Sequence, residues 1–419
     1  MKHIVFVESN PGNGIEAISI AKELGYSVTF VTANLEHYMK GRRLDDHPLR
    51  YADRIKECPT NEPDELLQYL KQFKMQYPFD GMLSFSEFYA PIVAEVAKKL
   101  GLPACNPKAV KTARLKHITR QVCSENGIPV PRWGSGNSLE EAYFLAEQIG
   151  YPCVFKPVDN TGSRNVRIVY NKSELEEMYE KNRLNLDNNR GLKRSSDFLI
   201  EEYLEGQLVS VETFSMNGDH HVLGITDRKL TGYPYFVEVG ASFPVEIKNF
   251  KEITNYVRHL LETIGYDFGP CHTELILTNR GPYLVEINPR LAGGIVPQLI
   301  YKATGIDPIR ETIKMFVGEK PDLTPKWKKG ASVYHFTAPK TGNICALKGV
   351  ELIEGCQFVE KFQWKVKIGD QVRYPTSNDD WIGDLVVVAD DATAANRIVD
   401  QLLNQIVVEV NDQIGDDSL

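Results

Sequence analysis

The sequence predicts a mixed fold, α/β at its N-terminal end and α+β beyond, and three observations carry that expectation. The first hundred residues alternate apolar strand segments with amphipathic helical segments, as a helix-covered parallel sheet requires. The middle of the chain reads as a compact helix–strand–loop–strand–helix–strand unit followed by long paired strands. At 419 residues the chain also exceeds what one core holds, roughly 250–300 residues, so more than one lobe is expected.

In order, HIVFVES, SVTFVTA and GMLSFSE read as strands, and GIEAISIAKELGY, PDELLQYLKQF and YAPIVAEVAKKLGL as helices. Strand one runs into NPGNG, where Gly12, Gly14 and Ala17 fit a loose G-x-G-x-x-A spacing. A dinucleotide site would need an acid after strand two, and VTANLEH offers only Glu36. The alternative is a plain tight turn whose helix start presents N–H groups to an anion. Glu87, in SFSEFYAP at a strand's carboxyl end, is a substrate-site candidate or simply an N-terminal charge for the next helix.

NPKAVKTARLKHITRQVCSENGIPVP reads as one helix with a Gly-Ile-Pro stop. Helix SLEEAYFLAEQIGY, strand PCVFKPV, strand NVRIVYN, helix SELEEMYEKNRL and strand DFLIEEYL follow, with a polar loop at LNLDNNRGLKRSSD. Next come strands LVSVETFSMNG and HHVLGITDRK, helix FKEITNYVRHLLETIGY and the hairpin CHTELILTNRGPYLVEINPR. From about residue 320 short strands dominate (ASVYHFTAP, ELIEGCQFVEKFQWKV, DLVVVAD). The helix ATAANRIVDQLLNQIVV and an acidic tail close the chain.

Composition narrows the function. Hydrophobic content of 42% and charged content of 25% are ordinary for a soluble globular protein. A net charge of −8 argues against nucleic-acid or anionic-membrane partners. No apolar run is long enough for a bilayer, and MKHIVFVES shows no signal-peptide pattern. The seven cysteines are scattered, odd in number and never C-x-x-C, so they read as buried thiols of a reducing cytosol. A cytoplasmic protein is expected.

The hairpin carries the chemistry. If Asn279, Arg280 and Gly281 form a three-residue loop, Thr278 pairs with Pro282 and Glu274 falls opposite Glu286. Opposed like charges call for a cation between them, and magnesium takes carboxylates, phosphates and waters. Asn288 adds a neutral oxygen on the same face, and Arg290 a guanidinium suited to a carboxylate or phosphoryl group. In VFKPVDNTGSRNVRIV, Lys156 and the turn with Gly162 and Ser163 fit a triphosphate, although no Walker A sequence is present. LIEEYLEG offers an adenine slot: Glu201 or Glu202 to accept from the amino group, Tyr203 and Leu204 to line it.

These pieces in this order resemble the ATP-grasp superfamily, through Lys116 in ARLKHITR, Lys156 and its loop, EEYLEG…SVE, and HTELIL…LVEINPR. The resemblance implies a pre-ATP-grasp lobe at 1–112 and an ATP-grasp region at 113–320, with its lid at about 130–203. A β-rich region at 321–419 follows. It implies that Lys116 and Lys156 contact ATP phosphates, that residues 201–204 hold adenine, and that Glu274, Glu286 and Asn288 hold two magnesium ions (Mn2+ being an acceptable substitute). Arg290 would steady an acyl phosphate. Many relatives carry a ribose-binding acid where this chain has Leu208, and Glu212 is the nearest substitute.

Within the superfamily the pattern looks most like the L-amino-acid ligases, which join two amino acids with release of ADP and phosphate. DRKLTGYPYFVEVGASFP resembles the stretch lining their substrate pocket, where Glu238 would bind an ammonium and Ser242 a carboxylate, unless both merely stabilise a loop. His272 faces the side of Glu274, and Ala292, Gly293 and Gly294 leave room for a bulky substrate side chain or simply start a helix. The partners so implied are small amino-acid-like molecules and a second copy of the chain in a homodimer. The rivals are a ligase acting on a carrier-protein thiol or a purine-pathway amine, a bicarbonate-dependent carboxylase, and a non-catalytic ATP-binding module.

Overall fold

A computed structural model describes residues 1–10, 13–184, 191–232 and 235–411. The expected acidic tail and part of the polar 184–197 loop lie outside the described residues, as does Gly12. Four sheets organise the described residues. The first is parallel, in the order Arg54–Glu57, Ser27–Thr32, His3–Val7, Gly81–Leu83. The alternating apolar runs give its buried strands; the polar edge strand Arg54–Glu57 had no such run to betray it.

The centre is an eight-stranded antiparallel sheet: Gly281–Asn288, Phe268–Thr278, Gln207–Met216, Asp219–Leu230, Glu238–Phe243, Gly330–Thr337, Trp381–Ala389, Val359–Trp364. It runs without a break past residue 320. One face packs on the helix Phe250–Ile264 through Val209, Val211, Leu275, Leu284 and Ile287. The same face meets Ala392–Leu403 farther along. The opposite face carries the polar side chains, beside the helix Val296–Thr304, which covers Ala241, Phe243, Ala331 and Val333.

A smaller antiparallel sheet, in the order Trp133–Gly136, Phe198–Glu202, Cys153–Pro157, Arg167–Val169, lies under the helices Leu139–Ile149 and Lys172–Leu184. A three-stranded sheet, Gln371–Val372, Gly342–Lys348, Val407–Asn411, completes the C-terminal part.

Two expected elements divide. Leu115 is extended, so the single helix expected at 106–126 becomes Pro107–Arg114 and Lys116–Glu125. The N–H of Lys116 donates to the Val158 carbonyl at 3.1 Å instead of continuing the helix. ELIEGCQFVEKFQWKV gives the helix Val350–Glu354 before the strand Val359–Trp364, with Gly355 between them. The helix Pro308–Phe316, capped by Asp307, joins the expected set.

Candidate active site

The Glu274–Glu286 pairing is present, by a different route from the one expected. Thr278 pairs with Gly281, so the turn holds two residues, and Leu277, not Thr278, pairs with Pro282. The register then shifts: Leu275 faces Leu284, and Glu274 faces Glu286. Val285 is the extra residue of a β-bulge. It places Leu284 on the apolar face and Glu286 on the polar one, although two positions separate them.

Both carboxyls are held below their usual range. Burial pushes the Glu286 carboxyl up, but Lys116, Asn288 and Arg290 more than offset it and hold it below the usual range. Lys116 Nζ lies 3.0 Å from Glu286 Oε2, and Asn288 Nδ2 donates to Glu286 Oε1 at 2.8 Å. Burial likewise works against Glu274, whose pKa Arg228 and His272 still bring down. Arg228 Nη1 lies 3.2 Å from Glu274, and its Nη2 lies 2.5 Å from Glu238. Among the described residues no three His, Cys, Asp or Glu side chains converge as a metal group. The donor set is two carboxylates and an amide, which suits magnesium and leaves its other positions to phosphate and water.

Cations gather next to it. Lys156 is buried against Glu201, and Arg120 Nε donates to the same carboxylate at 2.7 Å. Burial lowers the Lys156 pKa, Glu201 opposes this, and Arg120 and Lys116 lower it further. Arg120 and Lys156 share the single Glu201 carboxylate, so the Lys156 charge is left over beside Lys116. A phosphate chain fits such a surplus. Gly162 and Ser163 sit in the adjoining loop with φ of 64° and 58°, a conformation costly for Ser163. Lys116 Nζ donates to Asn160 O in that loop at 3.0 Å.

Arg290 holds Glu87 through both Nε (2.9 Å) and Nη2, while Arg114 lies 3.9 Å from the other Glu87 oxygen. The strand end of the N-terminal sheet therefore meets the end of the hairpin. Gly294, with φ of 58°, lies just before the helix Val296–Thr304, and a Cβ at Gly293 or Gly294 would meet open space. Gly14 is different: a Cβ there would overlap the Ser9 and Asn10 side chains.

Several expected roles need correction. Glu201 and Glu202 do not face an open slot: Glu201 is fully engaged with Lys156 and Arg120, and Glu202 with Arg132 and Arg280. Tyr203 and Leu204 follow them, half-buried and buried. Glu212, the expected substitute for a ribose-binding acid, is buried and bonded to His272 Nδ1 at 3.0 Å, Ser210 and Thr226. His272 in turn reaches Glu274 at 3.1 Å; burial lowers its pKa, but Glu212 and Glu274 raise it to about 9. Ser242 does not share a face with Glu238. A second bulge, at Val239, sets Glu238 beside Arg228 and turns Ser242 away, where it accepts from Asn396 at 3.0 Å. A cavity of about 580 Å³ on that other side, lined by Asp227, Lys248 and Asn396, does not touch the polar set.

Sequence reasoning missed Arg228, Arg120 and Arg114. Arg120 was findable, lying one helical turn after Lys116 on the same face. Arg228 was not, because its partners depend on strand register across the sheet.

Family models match three segments: an ATP-grasp N-terminal domain at 18–104, an ATP-grasp domain at 149–298 and L-amino acid ligase C-terminal domain 2 at 334–411. An uncharacterized protein of Sinorhizobium fredii, y4rH, is 25% identical over 409 residues, covering 97% of this chain and 82% of that protein. The carbamoyl phosphate synthase large chain of Pseudomonas aeruginosa is 26% identical over 321 residues, 73% of this chain but 28% of that one. The crystal structure of an L-amino acid ligase from Bacillus licheniformis shares the fold, with a TM-score of 0.80 at 21% identity over 98% of this chain and 99% of that one.

Proposed function

We propose that this chain, which belongs to the ATP-grasp superfamily, is an ATP-dependent ligase joining the carboxylate of one amino acid to the amine of another. The observation that carries the reading is the line Glu286–Asn288–Arg290, with Lys116 on its first member and Glu87 on its last. It sets a phosphate-handling end beside a guanidinium at the junction with the N-terminal sheet. The match of residues 334–411 to an L-amino acid ligase domain supports amino acids as the substrates.

In this reading Lys116 and Lys156 neutralise the phosphates of ATP, with the 158–166 loop over them. Glu274, Glu286 and Asn288 would hold magnesium, two ions by the family pattern, which supplies charge neutralisation to the phosphate oxygens. A carboxylate is a poor electrophile. Its oxygen attacks the γ-phosphorus, ADP leaves, and an acyl phosphate forms. The amine nitrogen of the second amino acid then attacks the acyl carbon, the C–O bond to phosphate breaks, and phosphate and a proton leave. Arg290 is placed to stabilise the charge that develops on the acyl oxygens. Glu238, paired with Arg228, would receive an ammonium group in this reading. Closing the 158–166 loop would exclude water, which otherwise hydrolyses the acyl phosphate. The reading includes a homodimer and a cytoplasmic setting, which the free cysteines support.

One alternative is a bicarbonate-dependent carboxylase, the same ATP step acting on bicarbonate. The deciding experiment is phosphate release from ATP and magnesium with the twenty amino acids, singly and in pairs, followed by mass spectrometry. Phosphate that depends on a pair, with a product one water lighter than the two reactants, is expected. Release that depends on bicarbonate instead would overturn the substrate assignment.

A further inference from the structure

We infer that Arg120 is a positioning residue: it clamps the bulge at Val285 and so keeps Glu286 turned toward Glu274. The inference rests on the reading that Glu274 and Glu286 hold the metal. In an unbulged strand Glu286 would share the face of Leu284, which packs in the core behind the sheet. The bulge removes that conflict and leaves Val285 without a paired residue in the register. Arg120 Nη2 donates to that carbonyl at 2.7 Å, while Nε donates to Glu201 at 2.7 Å. The side chain has no exposed surface, so these two bonds define its position.

Neutralising Glu201 does not by itself require this geometry, since Lys156 already pairs with that carboxylate. The contact to Val285 is the part left over. Lys116 and Arg120 lie one turn apart on the helix Lys116–Glu125. One helix face therefore holds both the Glu286 carboxylate and the backbone immediately before it. The clamp acts through the Val285 backbone on the angle at which Glu286 leaves its strand.

The test is Mn2+ binding by electron paramagnetic resonance in the presence of ADP, set beside ADP affinity in EDTA, for wild type, Arg120→Lys and Arg120→Gln. Lysine keeps the charge next to Glu201 but cannot span both partners; glutamine keeps a donor but shortens the reach, so one folded variant suffices. Mn2+ affinity is expected to fall about 10- to 100-fold, as when a ligand's supporting partner is lost. Metal-free ADP affinity is expected to stay within about twofold, with the lysine variant the milder. Unchanged Mn2+ affinity, or a parallel loss of both affinities as a general packing defect would give, overturns the clamp. Wild type that binds no Mn2+ beside ADP overturns the metal reading, and the clamp with it.

Discussion

Arg164, in the loop between the strands Cys153–Pro157 and Arg167–Val169, is joined to Asp379 by three hydrogen bonds of 2.8–3.1 Å. The neighbours of Asp379 hold the strand of Glu238: Asn378 Oδ1 accepts from the Glu238 N–H at 3.0 Å, and Trp381 Nε1 donates to the Glu238 carbonyl at 2.7 Å. One turn of the C-terminal part thus touches both the proposed phosphate loop and the proposed ammonium site. The ion pair is half-exposed, and such pairs contribute roughly 0.2–1 kcal/mol. Asp379→Asn should leave thermal stability nearly unchanged and raise the KM for ATP up to about fivefold. The exchange Arg164→Asp with Asp379→Arg should recover most of the loss. Steady-state kinetics on the two single variants and the exchange check this.

Arg290 makes a different prediction. Arg290→Lys retains a charge but loses the fork that grips Glu87. If it stabilises charge that appears only during reaction, kcat should fall about 10²- to 10³-fold with ADP affinity unchanged. Single-turnover phosphate release together with ADP titration calorimetry separates the two. An equal weakening of ADP binding would mean that Arg290 serves the nucleotide instead.

The ion pairs should differ sharply in their weight for stability. Glu201 is buried between Arg120 and Lys156, so Glu201→Ala leaves two buried cations unpaired and should cost about 3–5 kcal/mol. Arg280→Ala removes a half-exposed guanidinium from Glu202, which keeps Arg132, and should cost under about 1 kcal/mol. Urea denaturation of both variants gives the comparison.

Acid should destabilise the fold through groups outside the site as well. Burial raises the Asp384 pKa, but His335 and Lys365 more than offset this and leave it lowered. Asp380 is lowered in the same way, burial being outweighed by the Thr376 N–H and Arg373. A depressed folded pKa stabilises above the unfolded value of about 4, and that contribution fades as the pH falls through the folded value. The urea midpoint should therefore drop below about pH 5, and Asp384→Asn should flatten part of that slope.

Thiol reactivity should follow burial. Desolvation pushes Cys58, Cys105 and Cys153 up to about 12 and Cys123 to about 11, and raises Cys271 also. Cys345 and Cys356 are only half-buried. Iodoacetamide at neutral pH should label these two first and reach the other five only after unfolding, as peptide mass mapping would show.

Legibility in the sequence tracked locality. The strands and helices with strong periodicity, such as His3–Val7 and Phe250–Ile264, were visible because their pattern is a property of neighbouring residues. The facing of Glu274 and Glu286 was anticipated as well. It follows from a two-residue turn plus a bulge, which shift the register in compensating ways, so the right partners emerged from the wrong loop. Ser242 shows the opposite outcome, where an unseen bulge at Val239 reversed a face. Glu201 and Glu212 were acids in plausible places, but their partners, Arg120, Lys156 and His272, come from distant segments. Side-chain pairing across elements is fixed by the assembled sheet, and alternation along a single strand does not contain it.

The continuity of the central sheet past residue 320 bears on how this protein can be dissected. The strand Glu238–Phe243 has neighbours on both sides, one of them supplied by Gly330–Thr337. A shortened chain ending near residue 320 would strip that neighbour away and turn an interior strand into a raw border of unsatisfied N–H and C=O groups. Such borders recruit other chains. The last hundred residues are thus less an appendage than part of the weave, carrying the sheet's border out to the charged strand Val359–Trp364.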